Sequence, residues 1–374
     1  MSKTWFTDSD SDPDDFADAP TDPGGGAPQK PAAPPASPPA SAVRREPTFS
    51  TRPQLTSNGT PRSESWSDVP VAIPGYTLLS PIGRGGMGEV WLAERISEAG
   101  VGVRCALKII LPERETEHAY RAHFLNEART SSLLRHPNVV TIFDVGQVAE
   151  RLYMAMEWVD GVDLRDLIRR LRTLGAHLPM KHALYILRAS AQGLHYAHTM
   201  KDLEGRHLKL VHRDISPENL LISREGAVKL SDFGVAWSAA SGTTPRAVGK
   251  VHYFAPELLH GGAASVRSDL FALGVTFYEM LMMRPLFSRR NTMREVCAEV
   301  ARFQPASLFE RDLSVPEELE DILMRCLAVD PTERYSSALE LLEDVNDFTY
   351  EAGIRLLDAH FAKYIARVLE RPPP

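Results

Sequence analysis

Residues 211–222 read Val-His-Arg-Asp-Ile-Ser-Pro-Glu-Asn-Leu-Leu-Ile, residues 230–234 read Leu-Ser-Asp-Phe-Gly, and residues 255–257 read Ala-Pro-Glu. Upstream, residues 83–90 read Gly-Arg-Gly-Gly-Met-Gly-Glu-Val, which sets Gly83, Gly85 and Gly88 in GxGxxG spacing. Glycine lets a backbone approach a polyanion closely, so that its amides face phosphate oxygens. Taken alone the spacing is weak, because many glycine-rich turns are only turns. A dinucleotide fingerprint needs a helix after the last glycine. Here Glu-Val-Trp-Leu-Ala follows, which reads as a strand. No GKS or GKT is present, which excludes a P-loop. Lys108 lies in Cys-Ala-Leu-Lys-Ile at 105–109, an alternating strand. A lysine in an otherwise apolar strand is costly unless it meets an anion, and a phosphate or a carboxylate would serve. Glu127, on an expected helix with Phe124, Ala128 and Leu134, is the candidate carboxylate. Singly, each of these two residues reads better as a surface charge.

Together the strings say more. GxGxxGxV, A-x-K, HRD-x-x-x-x-N, DFG and APE in this order make up the protein kinase signature. The chain resembles eukaryotic-type (Hanks-type) bacterial protein kinases over about residues 76–348. GGMGEV and RHPNVV look bacterial, and HRDISPEN with the insert at 199–209 is similar to kinases of myxobacteria. The resemblance implies an α+β, two-lobed kinase fold, with a small N-terminal β-sheet lobe and a larger, mainly helical C-terminal lobe. It implies ATP and Mg²⁺ as cofactors and serine or threonine hydroxyls of proteins as acceptors, with autophosphorylation in a homodimer. Phosphoryl transfer of this kind is catalysed by positioning and charge neutralisation. By the same resemblance Ile82, Gly83, Gly85, Gly88 and Val90 cover the nucleotide, and Lys108, held by Glu127, grips the α- and β-phosphates. Asp232 and Asn219 hold the metal, and Asp214 takes or orients the acceptor hydroxyl. Ala106 and Leu221 sandwich the adenine, with Met156 behind it, the backbone of Glu157 to Val159 at its edge and Asp163 at the ribose. Glu257 and Arg334 are expected to form a buried pair, and Asp269 to take backbone amides near His212 and Arg213.

Two positions depart from the family. Ser216 stands where a lysine usually follows the catalytic aspartate, and Gly249-Lys250 stands in place of Gly-Thr before APE. The expectation is a swap, with Lys250 supplying the ammonium near the γ-phosphate; weak activity is the alternative. Intact Lys108, Glu127, Asp214, Asn219 and Asp232 argue against a scaffold that binds nucleotide and partners without transferring phosphate. APE with its paired arginine argues against a small-molecule kinase. The absence of an Ala-Ala-Arg catalytic loop disfavours tyrosine as acceptor. Arg213 and the hydroxyls of Ser238, Ser241, Thr243 and Thr244 offer a phosphate-ordered loop, with a plain polar loop as the other reading.

Composition frames the rest. The chain has 374 residues, 43% hydrophobic and 24% charged, which is ordinary for a globular protein. A net charge of −7 advertises no surface for nucleic acid. Three scattered cysteines argue against a disulfide scaffold or a structural zinc and fit the cytoplasm. The N-terminus lacks the apolar core of a signal peptide, and the longest apolar run, 271–283, includes Glu279, so no membrane insertion is expected. Residues 1–70 hold 13 of the 28 prolines, an acidic block from Asp8 to Asp22 and a Pro/Ala run, and read as a disordered tail. The expected kinase domain is 71–348, with an N-lobe at 71–157 that includes a strand expected at 139–145, a hinge at 157–163 and a C-lobe at 164–348. Residues 349–374 read as a helical extension docked on the large lobe, with Ile354, Leu357, Phe361, Ile365 and Leu369 at helical spacing.

Overall fold

A computed structural model describes residues 72–84, 88–110, 118–149, 151–202, 204–233, 250–288, 293–303 and 315–371. The expected tail at 1–70, Gly85 and the hydroxyls of Ser238, Ser241, Thr243 and Thr244 lie outside them. The N-terminal part begins with β1 (Tyr76–Arg84), β2 (Gly88–Ile96) and β3 (Gly102–Ile110), followed by α1 (His118–Ser131), β4 (Ile142–Val148) and β5 (Arg151–Glu157). These strands make one antiparallel sheet in the order β1-β2-β3-β5-β4. Side chains alternate across a strand. Cys105, Leu107 and Ile109 therefore pack with Ile73, Ala93 and Ala155 on one face. Ile110 goes to the other face, with Phe124 and Ala128 of α1 and Met154. Lys108 shares the parity of Ile110, so its side chain leaves the sheet on the α1 side.

The remaining elements are β6 (Gly161–Asp163), α2 (Leu164–Thr173), α3 (Met180–Thr199), β7 (Leu220–Ser223), β8 (Val228–Leu230), α4 (Pro256–Leu259), α5 (Val266–Met282), α6 (Met293–Ala301), α7 (Glu317–Leu327), α8 (Ala338–Glu351) and α9 (Asp358–Glu370). Strands β6, β7 and β8 form a small separate sheet. Helix α5 is buried over most of its length, from Ser268 to Met280. A helix that is apolar nearly all round belongs in a core. It starts on a capping box, with Ser265 and Ser268 exchanging side-chain-to-backbone hydrogen bonds. Arg334, buried, meets Glu257 at 2.8 and 2.9 Å and gives further bonds to the carbonyls of Ala328 and Val329, as expected for that pair. Among the described residues no helix is long and apolar enough to cross a membrane.

Two boundaries differ from the expectation. The strand expected at 139–145 begins only at Ile142. Before it, Val140 donates its amide to the Leu230 carbonyl and Asn138 accepts from the Leu230 amide, so this piece of chain is tied to β8 instead. The expected boundary at 348/349 falls inside α8, which runs to Glu351 and stops where Gly353 turns to φ +68°. Helix α9 then lays Phe361, Ile365 and Val368 into the large core. Phe361 stacks on Tyr185 of α3, with ring centres 4.4 Å apart. Arg170 of α2 donates to the carbonyls of Val368 and Leu369, both at 2.8 Å, which satisfies the end of the helix. Helix α9 is thus part of the large core. Phe361→Ala should lower the stability of the whole domain by about 3 kcal/mol, read as an earlier single transition in urea. An unchanged midpoint would mean that α9 folds as an independent appendage.

Candidate active site

The centre of the site is an ion triad. Lys108 Nζ lies 2.6 Å from Glu127 Oε1 and 2.8 Å from Asp232 Oδ1. The three groups come from β3, α1 and the residue pair after β8, so the sheet, the helix and the large lobe meet on one ammonium. Burial opposes the charge on Lys108, but the two carboxylates outweigh it and raise its pKa above the ordinary lysine range. Burial also works against Asp232, yet Lys108, with Lys250 behind it, holds that carboxyl well below the usual range. About 41% of the Asp232 side chain is exposed, so water tempers this effect. Glu127 is covered more completely, and burial wins there, pushing its carboxyl up despite Lys108.

A second cluster sits on the catalytic loop. Asn219 donates from Nδ2 to the Asp214 carbonyl at 2.6 Å and to Asp214 Oδ2 at 2.8 Å. Lys250 Nζ also bonds Asp214 Oδ2. Ser216 is fully buried and its hydroxyl finds no hydrogen-bond partner. The two clusters are linked by the Ser231 amide, which donates to the Asn219 carbonyl at 2.9 Å. Asp269 of α5 holds the loop from below, accepting from the amides of His212 at 2.7 Å and Arg213 at 2.8 Å. Phe233 packs against His212 in a tilted ring pair, with centroids 4.4 Å apart.

Other expected residues are placed less simply. Gly88 is buried in the strand pair, where a Cβ would fall 2.4 Å from the Ile109 carbonyl, so close backbone approach already requires glycine. Around Gly83 a Cβ would meet nothing within 4 Å among the described residues. Ala106 pairs with Met156 across β3 and β5, and Val90 pairs with Lys108 across β2 and β3. Leu221 faces Asp163 across β6 and β7. Ile82 is exposed on β1. The Glu157 amide is committed to the Thr141 carbonyl at 2.8 Å, so a donor to a purine edge has to come from elsewhere in 157–159, with Val159 the remaining named candidate. The Glu157 side chain meets Lys229 at 2.9 Å. Asp163 caps α2 by accepting the Asp166 amide at 2.8 Å.

Sequence reasoning missed three contributors. His198 of α3 bonds Asp269 at 2.9 Å and supports the loop anchor. Arg165 pairs with Glu218 beside Asn219. Ser131, buried with a partnerless hydroxyl, lines a cavity with Glu127, Met156, Asp232 and Phe233. An (i, i+4) step from Glu127 marks Ser131 as sharing its helix face; the other two had no signal in spacing.

Asp232 and Asn219 are the two residues expected to hold a metal; among the described residues there is no cluster of three or more acidic, His or Cys groups.

With this geometry in place, the comparisons are consistent. Residues 76–345 match the protein kinase domain family. The chain belongs to that family, on its bacterial Hanks-type branch, whose members use ATP with a divalent metal. It is 34% identical over 280 residues to the tyrosine-protein kinase MasK of Myxococcus xanthus, covering 74% of this chain and 43% of that protein. It is 33% identical over 273 residues to the serine/threonine-protein kinase PrkC of Bacillus subtilis, covering 72% and 40%. The chain thus spans about two fifths of the length of these curated relatives. The PknI kinase domain of Mycobacterium tuberculosis superposes with a TM-score of 0.56 at 28% identity, covering 74% of this chain and 97% of that one.

Burial, with the Asp166 charge adding to it, pushes the Asp163 carboxyl up to about 7. The folded chain therefore favours the protonated form, and stability falls as pH rises from 3.8 toward 7. Asp163→Asn keeps a capping oxygen and removes that charge. Its melting temperature should match wild type below about pH 4 and exceed it at about pH 8. Thermal melts across that range check this; a constant offset would refute it.

Proposed function

We propose that the chain is an ATP-dependent protein kinase that transfers the γ-phosphoryl group to serine or threonine hydroxyls of proteins in bacterial signalling. The observation that carries this is the meeting of Lys108, Glu127 and Asp232 across the lobes, beside an Asp214 held by Asn219. Lys108 would hold the α- and β-phosphates, with Glu127 fixing its direction. Gly83, Gly85, Gly88, Val90 and Ile82 would roof the nucleotide. Ala106 and Leu221 would flank the adenine, with Met156 behind it and Asp163 near the ribose. A Mg²⁺ held by Asp232 and Asn219 would neutralise charge on the phosphates. The acceptor oxygen forms its bond to the γ-phosphorus as the bond to the β,γ-bridging oxygen breaks. The acceptor proton passes to Asp214, and ADP leaves with the bridging oxygen. We place this activity in the cytoplasm, where ATP and protein substrates meet, with autophosphorylation between two copies of the chain.

Incubation with Mg²⁺ and γ-labelled ATP tests this reading. Label should appear on serine or threonine, and Asp214→Asn and Lys108→Met should each reduce it by at least about 100-fold. Bound nucleotide with no label under any condition would support the scaffold reading instead. Since MasK is named a tyrosine kinase, phosphoamino-acid analysis is part of the test, and label confined to tyrosine would overturn the assigned acceptor.

A further inference from the structure

We propose that Lys250 is a positioning residue for Asp214 carried on the turn at 250–253, so that seating this turn and completing the catalytic loop are one event. The inference rests on the proposed kinase activity and adds to it the origin of the cation at the acceptor site. Three observations support it. Asp214 Oδ2 is shared by two donors, Asn219 Nδ2 from its own loop and Lys250 Nζ from 36 residues further on. The loop offers no ammonium of its own at the near position: Ser216 is extended (φ −163°, ψ 161°), wholly buried, and its hydroxyl has no partner. Lys250 is also anchored independently of Asp214. It begins a short 3₁₀ turn (Val251–Tyr253), closed by the Tyr253 amide on the Lys250 carbonyl at 3.1 Å. Tyr253 is buried and gives its hydroxyl to Glu279 Oε2 of α5 at 2.8 Å, which ties the turn to the large core.

The physical consequence is specific. A carboxylate gripped from two sides is fixed in direction, and a hydrogen bond to a charged group is about twice as strong as a neutral one. If the ammonium were on the catalytic loop, it would be present wherever residues 250–253 sat. Here it arrives with those residues, so a turn lifted from the core takes the second grip on Asp214 with it. The neighbouring cavity, lined by Arg213, Asp214, Lys250, Tyr253, Phe254 and Leu258, runs along this joint.

The experiment moves the ammonium. Lys250→Thr should lower kcat about 100-fold with KM for ATP little changed, the pattern of a lost transition-state interaction. Adding Ser216→Lys to that variant should recover at least a tenth of wild-type kcat. In the wild-type background Tyr253→Phe should lower kcat severalfold. In the Lys250→Thr/Ser216→Lys background it should not, because the ammonium no longer rides on the turn. An unchanged kcat in Lys250→Thr, no recovery in the double variant, or an equal effect of Tyr253→Phe in both backgrounds would each overturn the proposal. A readout independent of activity accompanies these. Amine-reactive ester labelling of the full chain, followed by mass spectrometry, should find Lys250 protected relative to the exposed Lys201 and deprotected in Asp214→Ala. Equal labelling of Lys250 and Lys201 in wild type would refute the pairing. Protected Lys250 in a chain that transfers no phosphate would instead refute the kinase reading and leave the pairing standing.

Discussion

An ammonium held between two carboxylates joins the parts of this protein. Lys108 sits in a strand whose neighbours are Cys105, Leu107, Ile109 and Ile110, all buried. Such a strand tolerates a lysine only because its charge is matched. The match cannot come from β3 itself. It comes from α1, through Glu127, and from the large lobe, through Asp232. One parity choice in β3 thus selects the side on which α1 must pack and the edge at which the lobes meet. The two carboxylates are then unequal because their surroundings differ: Asp232 opens to water, while Glu127 is covered.

The lower half of the site depends on buried polar anchors. Arg213 and Asp232 both sit at positive φ, +69° and +53°. Neither is a glycine, so each conformation is strained by about 1–3 kcal/mol and has to be imposed by its neighbours. Asp269 imposes the first, by taking two successive amides, and His198 steadies Asp269. Packing of Phe233 against His212 and the bond from Ser231 to Asn219 constrain the second. Strain and charge are therefore concentrated in one small volume, which the apolar body of α5 keeps in place.

How much of this was legible in the sequence follows from the range of each interaction. The motif strings named Lys108, Asp214, Asn219 and Asp232 as candidates, and Glu127 was picked out as the carboxylate for Lys108 on an expected helix, where the structure places it. The start of β4 was not legible, because Val139 and Val140 look like strand residues, but this stretch is tied to Leu230 of the large lobe, through the Val140 amide and the Asn138 carbonyl, rather than to β5. The break after Glu351 was missed because apolar spacing runs on through Ile354 and Leu357, while the backbone turns at Gly353. Gly88 was read for phosphate, although its strand partner already demands it. His198, Arg165 and Arg170 act over long sequence separations through single polar contacts, which leave no periodic trace.

On the proposed kinase reading, the charges of the site call for a cation from outside. Glu127, Asp214 and Asp232 set three carboxylates against the ammoniums of Lys108 and Lys250, so the cluster offers no spare positive charge to a triphosphate. Lys108 is already shared by two of the acids, and Lys250 by the third. A nucleotide entering this space brings several more negative charges into a partly desolvated cleft, where repulsion is poorly screened. Ammoniums alone cannot balance it. A divalent ion held at Asp232 would supply the missing positive charge, leaving Lys108 for the phosphates. On the proposed kinase reading, the site would be balanced only when nucleotide and metal enter together.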